Sequence, residues 1–282
     1  MPTTPTRRKK RLGQLLARLR NEADKTLAHA SDMLRVGEST VSRYETGHFR
    51  PGWATMQALL ALYNASDAQR SEAAALWEDA GDRAVRLITP AGSPKPFRVF
   101  LRAEAEADTA RTVDPLLVPG LLQTPAYIRA VNANGQQFHT SSAERYVTAR
   151  LSRQARLSGS SPLNLHALLD EAVLYRIVGN AEIMAEQLRH LVTMLEQDHI
   201  TIQIVPFDAG SYGNMCGGFT IIGYRDSDDQ PAVYVDSAAG GAWVESDEDV
   251  DRFSDMFEEI ASSALSTGES TELLIARARA LE

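Results

Sequence analysis

Apolar residues recur at three- and four-residue steps through the first 80 positions, the spacing of short helices that each bury one face. Leu12, Leu15, Leu16 and Leu19 form the first stripe, in a helix predicted to end near residue 23. Ala30, Leu34, Val36, Val41 and Tyr44 follow on either side of a break at 35–37. This pattern predicts two short helices over 26–47, joined by a tight turn and sharing one buried seam. Ser31 is small where the first of them must pass close to the second. Gly37 suits the N-cap of the second and Gly47 its C′ position. Pro51 delays the next start, so a fourth helix is expected at about 52–64, burying Met56, Leu59, Leu60 and Tyr63. A fifth, at about 67–80, uses Leu76, Trp77 and Ala80.

ITPAGSPKP at 88–96 interrupts the helical period with three prolines, a glycine and a serine, which marks a linker. The periodicity is mixed beyond it. Helices are expected from residue 97, at 143–157, at 181–197 with Met184, Leu188, Leu191, Val192 and Leu195 on one face, and at 247–264 and 268–281. LNLHALLD (163–170), TIQIVPF (201–207), FTIIGY (219–224) and AVYVD (232–236) read as strands, being rich in β-branched and aromatic residues between turn formers. No internal repeat is visible, and the pattern leaves the strand order open.

The chain therefore reads as multi-domain: an all-α five-helix domain followed by a mixed α/β (α+β) domain. The expected divisions are a disordered tail at 1–7, the helical domain at 8–84, a linker at 85–96 and the mixed domain at 97–282. A length of 282 residues, with 44% apolar and 23% charged, suits two globular domains. No apolar run approaches a membrane span, and MPTTPTRRKKR lacks the apolar stretch of a signal peptide. One cysteine, Cys216, excludes an internal disulfide framework, and a cytoplasmic location is expected.

Dividing the net charge of −8 changes the picture. Residues 1–50 carry eleven Lys/Arg and five Asp/Glu, a balance of +6, and the remainder balances at −14. A basic head on an acidic body is the electrostatic footprint of a DNA-binding head. With the seam of 26–47 turned inward, Glu38, Ser39, Thr40, Ser42 and Arg43 fall on the exposed side. Short hydroxyls, one guanidinium and one carboxylate in the first turns of a helix match what base edges in a major groove require. An ordinary helical hairpin with a solvated polar face is the competing reading. RRKKR at 7–11 either follows phosphates, adding salt-dependent affinity without sequence choice, or is a solvated tail.

TVSRYETG at 40–47, with Thr26 opening the preceding helix, resembles the helix-turn-helix of the XRE/Cro (lambda-repressor-like) regulators. The resemblance implies an ion pair between Arg20 and Glu45. On the DNA-binding reading of the exposed side, Ser39, Thr40, Ser42 and Arg43 lie at base edges, Glu38 accepts from a cytosine amine, and Thr26, Arg35 and His48 lie near phosphates. Leu27 stands where the family often has a phosphate-touching glutamine. Arg35 stands where a turn glycine is common, a position that a non-glycine residue takes at modest cost. DPLLVPGLLQTPAYIRAV (114–131), LLDEAVLYRIVGNAEIMAEQLRHLVTM (168–194) and IQIVPFDAG (202–210) resemble the large C-terminal domain of actinobacterial XRE-type regulators described as antitoxin-like. That resemblance implies a small partner protein encoded nearby, or a sensed signal, without supplying a mechanism.

Catalytic constellations are weak. Asp170–Glu171 invites a paired-carboxylate reading, but neighbouring side chains diverge on either element, so carboxylates that satisfy a loop or Arg176 are the better account. The six histidines have no metal-ligand spacing, and no zinc site or other cofactor is expected. Cys216 lacks a base in sequence, although a lone thiol can sense oxidants. The glycine-rich loop 208–218 is a hairpin connection or lines a pocket, and PLLVPGLL (115–122) is either core or an interaction surface. The sequence thus points to a double-stranded-DNA-binding transcription regulator, expected as a homodimer on paired half-sites. Its acidic domain would answer a small protein or an unidentified ligand. The alternative makes that domain an antitoxin-like interaction module, with DNA binding serving autoregulation; an enzyme is not expected.

Overall fold

The leucine stripe of the first helix is the surface on which the first unit closes. A computed structural model describes residues 7–81, 93–134, 143–215, 217–225, 230–237 and 240–282. The chain divides after Ala84 into two units. The first holds five helices, α1 (Arg7–Glu22), α2 (Leu27–Leu34), α3 (Glu38–Glu45), α4 (Trp53–Leu62) and α5 (Asp67–Gly81). Leu12, Leu15, Leu16 and Leu19 of α1 meet Ala30, Val41, Met56, Leu59, Leu60 and Tyr63 in one apolar core. The expected seam through α2 and α3 needs one correction. Val36 is exposed, because Arg35 takes the left-handed conformation (φ 54°, ψ 44°) that ends α2 and turns the chain out of the seam. The Val36 amide then donates back to the Ser31 carbonyl at 3.0 Å. Residues 1–6 of the expected tail, 82–84 at the end of the expected helical domain and 85–92 of the expected linker lie outside the described residues. Residue 7 already begins α1, and the next described helix starts at Lys95.

The second unit is built on a six-stranded sheet. Its elements in order are α6 (Lys95–Glu106), β1 (Thr109–Asp114), α7 (Pro125–Asn134), α8 (Ala143–Gln154), β2 (Asn164–Asp170) and α9 (Ala172–Tyr175). They continue as α10 (Ala181–Met194), β3 (Ile200–Val205), β4 (Phe219–Gly223), β5 (Ala232–Val235), β6 (Ala242–Val244), α11 (Asp247–Ser263) and α12 (Thr267–Arg279). The strand order is β3-β2-β1-β4-β5-β6. β1, β2 and β3 are mutually parallel, whereas β4, β5 and β6 add on as an antiparallel meander beside β1. One face packs on α6, α7, α10 and α12 through Ala110, Leu165, Ala167, Leu169, Ile202 and Ile204. The other packs on α11 through Val113, Leu168, Val205, Phe219, Ile221 and Val233.

Two strands were missed by pattern. β1 reads TARTVD, too polar for a strand signal, yet it lies between β2 and β4 and buries Ala110, Thr112 and Val113. β6 is three residues long and pairs only with β5. In PLLVPGLL, Val118, Leu121 and Leu122 are buried, while Leu116 is exposed. The edge strand β3 is closed by α12: the Ile204 amide donates to Ser270 Oγ at 3.0 Å, and its carbonyl accepts from the Leu265 amide.

Candidate functional site

α3 is held from behind. Val41 is fully buried, and Tyr44 packs partly on the same core. Arg20 of α1 donates from Nε and one Nη to both carboxylate oxygens of Glu45, at 2.8 and 3.0 Å, and its other Nη donates to the Lys25 carbonyl at 2.9 Å. This pair is mostly shielded from water, with side-chain exposures of 15% and 9%. Its bidentate geometry fixes the rotation of α3 about its axis. The hydrogen bond that Glu45 accepts holds the Arg20 pKa above its usual value. Close approach of α1 completes the clamp. A Cβ on Gly13 would lie 2.4 Å from the Glu45 carbonyl oxygen. Gly47, at φ +73°, leaves no room for a Cβ beside the Lys10 backbone at 2.6 Å.

The opposite side of α3 faces solvent. Glu38, Ser39 and Arg43 are exposed, and Thr40 and Ser42 half-buried. Gly37 caps the helix by backbone alone (φ −73°, ψ 148°), so no cap side chain covers its N-terminus. Thr26 is exposed at the N-cap of α2, where its Oγ1 accepts from the His29 amide, while Nδ1 of His29 accepts from the Thr26 amide. Arg35 is exposed in the turn. Thr46 Oγ1 donates to the Ser42 carbonyl at 2.7 Å and lies 2.9 Å from His48 Nδ1. Because the hydroxyl proton is committed to Ser42, His48 Nδ1 carries a proton toward it. The residues read from sequence thus lie at the N-cap of α2, in the turn that follows it, along α3 and in the loop after α3.

One aromatic residue beside Arg43, Phe49, was missed. The Arg43 guanidinium carbon lies 5.8 Å from the centroid of Phe49, and the Phe49 amide donates to the Arg43 carbonyl at 3.2 Å. Phe49 is 44% exposed and within cation–π distance of Arg43. Behind that loop, Arg50 stacks on Trp77 at 3.9 Å and donates to its carbonyl, and Trp77 Nε1 donates to the Pro51 carbonyl at 2.8 Å. The sequence signal for Phe49 was an aromatic six residues after the exposed arginine, in a loop fixed by proline.

In the second unit, the adjacent acids close loops. Asp170 accepts from the Ala172 amide at 2.7 Å and from the Tyr212 hydroxyl at 2.5 Å, and Glu171 accepts from the Phe207 amide at 2.8 Å. Their partners are backbone amides and a tyrosine rather than Arg176. His166 Nε2 lies 2.7 Å from Gln203 Oε1, and burial lowers its pKa. Among the described residues no group of three or more His, Cys, Asp or Glu is placed to hold a metal ion. Cys216 lies outside the described residues. No described helix is long and apolar enough to cross a membrane.

Comparison with known families agrees with this division. Residues 11–73 match a helix-turn-helix domain, and residues 97–276 match a domain of unknown function, DUF5753. No curated protein and no solved structure matches the chain. Because the second match covers more than half of its length, the chain belongs to the DUF5753 family, here joined to an N-terminal helix-turn-helix domain.

Proposed function

We propose that the chain is a sequence-specific DNA-binding transcription regulator of the XRE, antitoxin-like kind. One observation carries this reading: α3 leaves Ser39 and Arg43 exposed and Thr40 and Ser42 half-buried while the Arg20–Glu45 pair and Val41 fix its back. A helix so held enters a major groove as a rigid element, with the hydroxyls and the guanidinium at base edges. Glu38 would accept from a cytosine amine. Thr26, Arg35 and His48 flank this helix and would meet phosphates, with the basic start of α1 adding charge without sequence choice. A homodimer on two half-sites supplies the affinity that one small head lacks. The second unit would carry dimerisation and the response, and no catalytic activity. Its acids at 170 and 171 are committed to loop closure.

A second reading makes the C-terminal domain a docking module for a small neighbouring-gene protein. The exposed Leu116, Tyr175, Ile177 and Phe207 favour it, since all follow the carboxyl ends of the three parallel strands. Co-expression with the neighbouring small protein separates the readings, because only the second requires a stoichiometric complex. The first is tested by selecting duplexes from random DNA with the full chain and titrating the winner at two salt concentrations. Wild type should bind tightly and with strong salt dependence, and a Ser42→Ala/Arg43→Ala variant should lose the sequence preference. Binding that the double substitution leaves intact would remove α3 from the role of reading helix.

A further inference from the structure

Among the described residues of the first unit, Met33, Val36, Phe49 and Trp53 are the large apolar side chains left exposed. Trp53 has a neighbour that explains it, since its ring meets Trp77 edge-on at 4.9 Å. Phe49 is different. It lies outside the apolar core and outside the side chains packed on that core. Its ring instead stands beside a cation, with the Arg43 guanidinium carbon 5.8 Å from its centroid. Attraction between a cation and a ring fades at about 6 Å, so this contact is loose and leaves much of the ring to water. A single exposed phenylalanine is ordinary on a surface. One held in place beside a side chain that would read a base is not.

The chain is pinned on both sides of Phe49. Before it, the Thr46 amide donates to the Ser42 carbonyl at 2.9 Å, and Gly47 passes so near α1 that a Cβ would lie 2.6 Å from the Lys10 backbone. The Phe49 amide itself donates to the Arg43 carbonyl at 3.2 Å. After it, Arg50 donates to the Trp77 carbonyl at 2.8 Å, and Trp77 Nε1 donates to the Pro51 carbonyl at 2.8 Å. The loop is thus tied to α1, α3 and α5 within five residues. A side chain carried on so fixed a backbone loses little freedom when a partner arrives.

What the ring can recognise follows from what Arg43 would contact. A guanidinium in a major groove pairs bidentately with O6 and N7 of guanine. Successive bases are stacked about 3.4 Å apart, so a ring 5.8 Å from that guanidinium reaches one or two base pairs along the groove. Among base edges only thymine projects an apolar group there, its C5 methyl. The amine of cytosine would be stripped of water by a phenyl ring that returns no hydrogen bond, so the same contact discriminates against cytosine.

We infer that Phe49 reads the C5 methyl of a thymine within two base pairs of the guanine that Arg43 contacts. The inference rests on the regulator reading proposed above and deepens it. A residue outside α3 becomes a second determinant of specificity, and each operator half-site carries a guanine and a thymine at fixed spacing. The hydrogen bonds of the guanine and the methyl of the thymine are then recognised by two side chains of complementary chemistry, set in register by the backbone bond between residues 43 and 49.

The test uses the duplex that the full chain selects from random DNA. Single base-pair changes titrated with wild type and Arg43→Ala locate the guanine, as the position where the variant no longer discriminates. Each thymine of one half-site is then replaced in turn by deoxyuridine, which deletes the methyl and keeps the hydrogen-bonding edge. For wild type, one thymine within two base pairs of that guanine should weaken binding about three- to fivefold on losing its methyl, the worth of one buried methyl group. Phe49→Ala should lose at least as much on the thymine duplex and nothing further on the deoxyuridine duplex, so the two changes are non-additive. The deoxyuridine series alters only the DNA, so it reads the contact even where a variant is destabilised. Additive losses, the absence of a methyl-sensitive thymine at that distance, or equal losses from Phe49→Ala on selected and scrambled duplexes would overturn the inference. A preference that depends on Arg43 but ignores every methyl would refute the role of Phe49 alone. Selection that enriches no duplex would refute the regulator reading, and this inference with it.

Discussion

The two units dispose of charge in opposite ways. In the first, the core is leucine, methionine, valine and alanine with Tyr63, and Arg20–Glu45 is a clamp at its margin. The side chains offered to a partner stand outside. In the second, Glu104, Thr112, Gln123 and Gln187 are buried, with Arg153 shielded beside Glu104, all in or around the layer between the sheet and its helices. Chemistry on a surface can be changed with little effect on stability, but chemistry placed in an interior is tied to the fold. The first unit is thus expected to separate function from stability, and the second to couple them.

The largest effect should come from the buried pair. Arg153→Met leaves Glu104 without its partner and should cost about 3–5 kcal/mol in denaturant unfolding, whereas Arg153→Met/Glu104→Leu together should recover much of it. Equal losses for the single and double variants would show that packing, not charge, governs this layer. Next is Asp114, whose carboxyl burial pushes up from 3.8 to about 7. The folded state therefore holds this proton where the unfolded chain has lost it, so the contribution is full below pH 4 and disappears as pH rises through 7. Asp114→Asn should flatten that portion of the stability profile and stabilise the protein at pH 8 by at most about 4 kcal/mol. Parallel profiles for the two proteins would contradict it. In the first unit, Arg20→Ala should cost about 1–3 kcal/mol, less than the interior pair because Arg20–Glu45 is partly solvated. Selected-duplex affinity should fall with it, since α3 loses its fixed rotation.

Legibility followed the same division. In the first unit most polar side chains stand outside the core, so the stripe at 12, 15, 16 and 19 and the exposed face of α3 could be taken from spacing. Val36 was misplaced because apolar spacing cannot register the left-handed turn at Arg35. Phe49 was missed because its role depends on a loop that returns toward Arg43. In the second unit the rule failed where chemistry is internal. β1 was unreadable because Thr112 and Asp114 are polar residues on an inward face, and strand patterning treats such residues as solvent-facing. β2, β3, β4 and β5 were legible because their inward residues are aliphatic or aromatic. Arg153 gave no signal at all. An arginine on a charged helix looks solvated until buried Glu104 shows what it pairs with.

The central claim is that α3 reads sequence through Arg43. Affinities of wild type and Arg43→Ala for the selected duplex and for a scrambled duplex, at one salt concentration, test it most directly. The account predicts a loss of about 1–3 kcal/mol on the selected duplex and a much smaller loss on the scrambled one. Equal losses on both duplexes would make Arg43 a phosphate contact, and no loss on either would place the reading surface elsewhere.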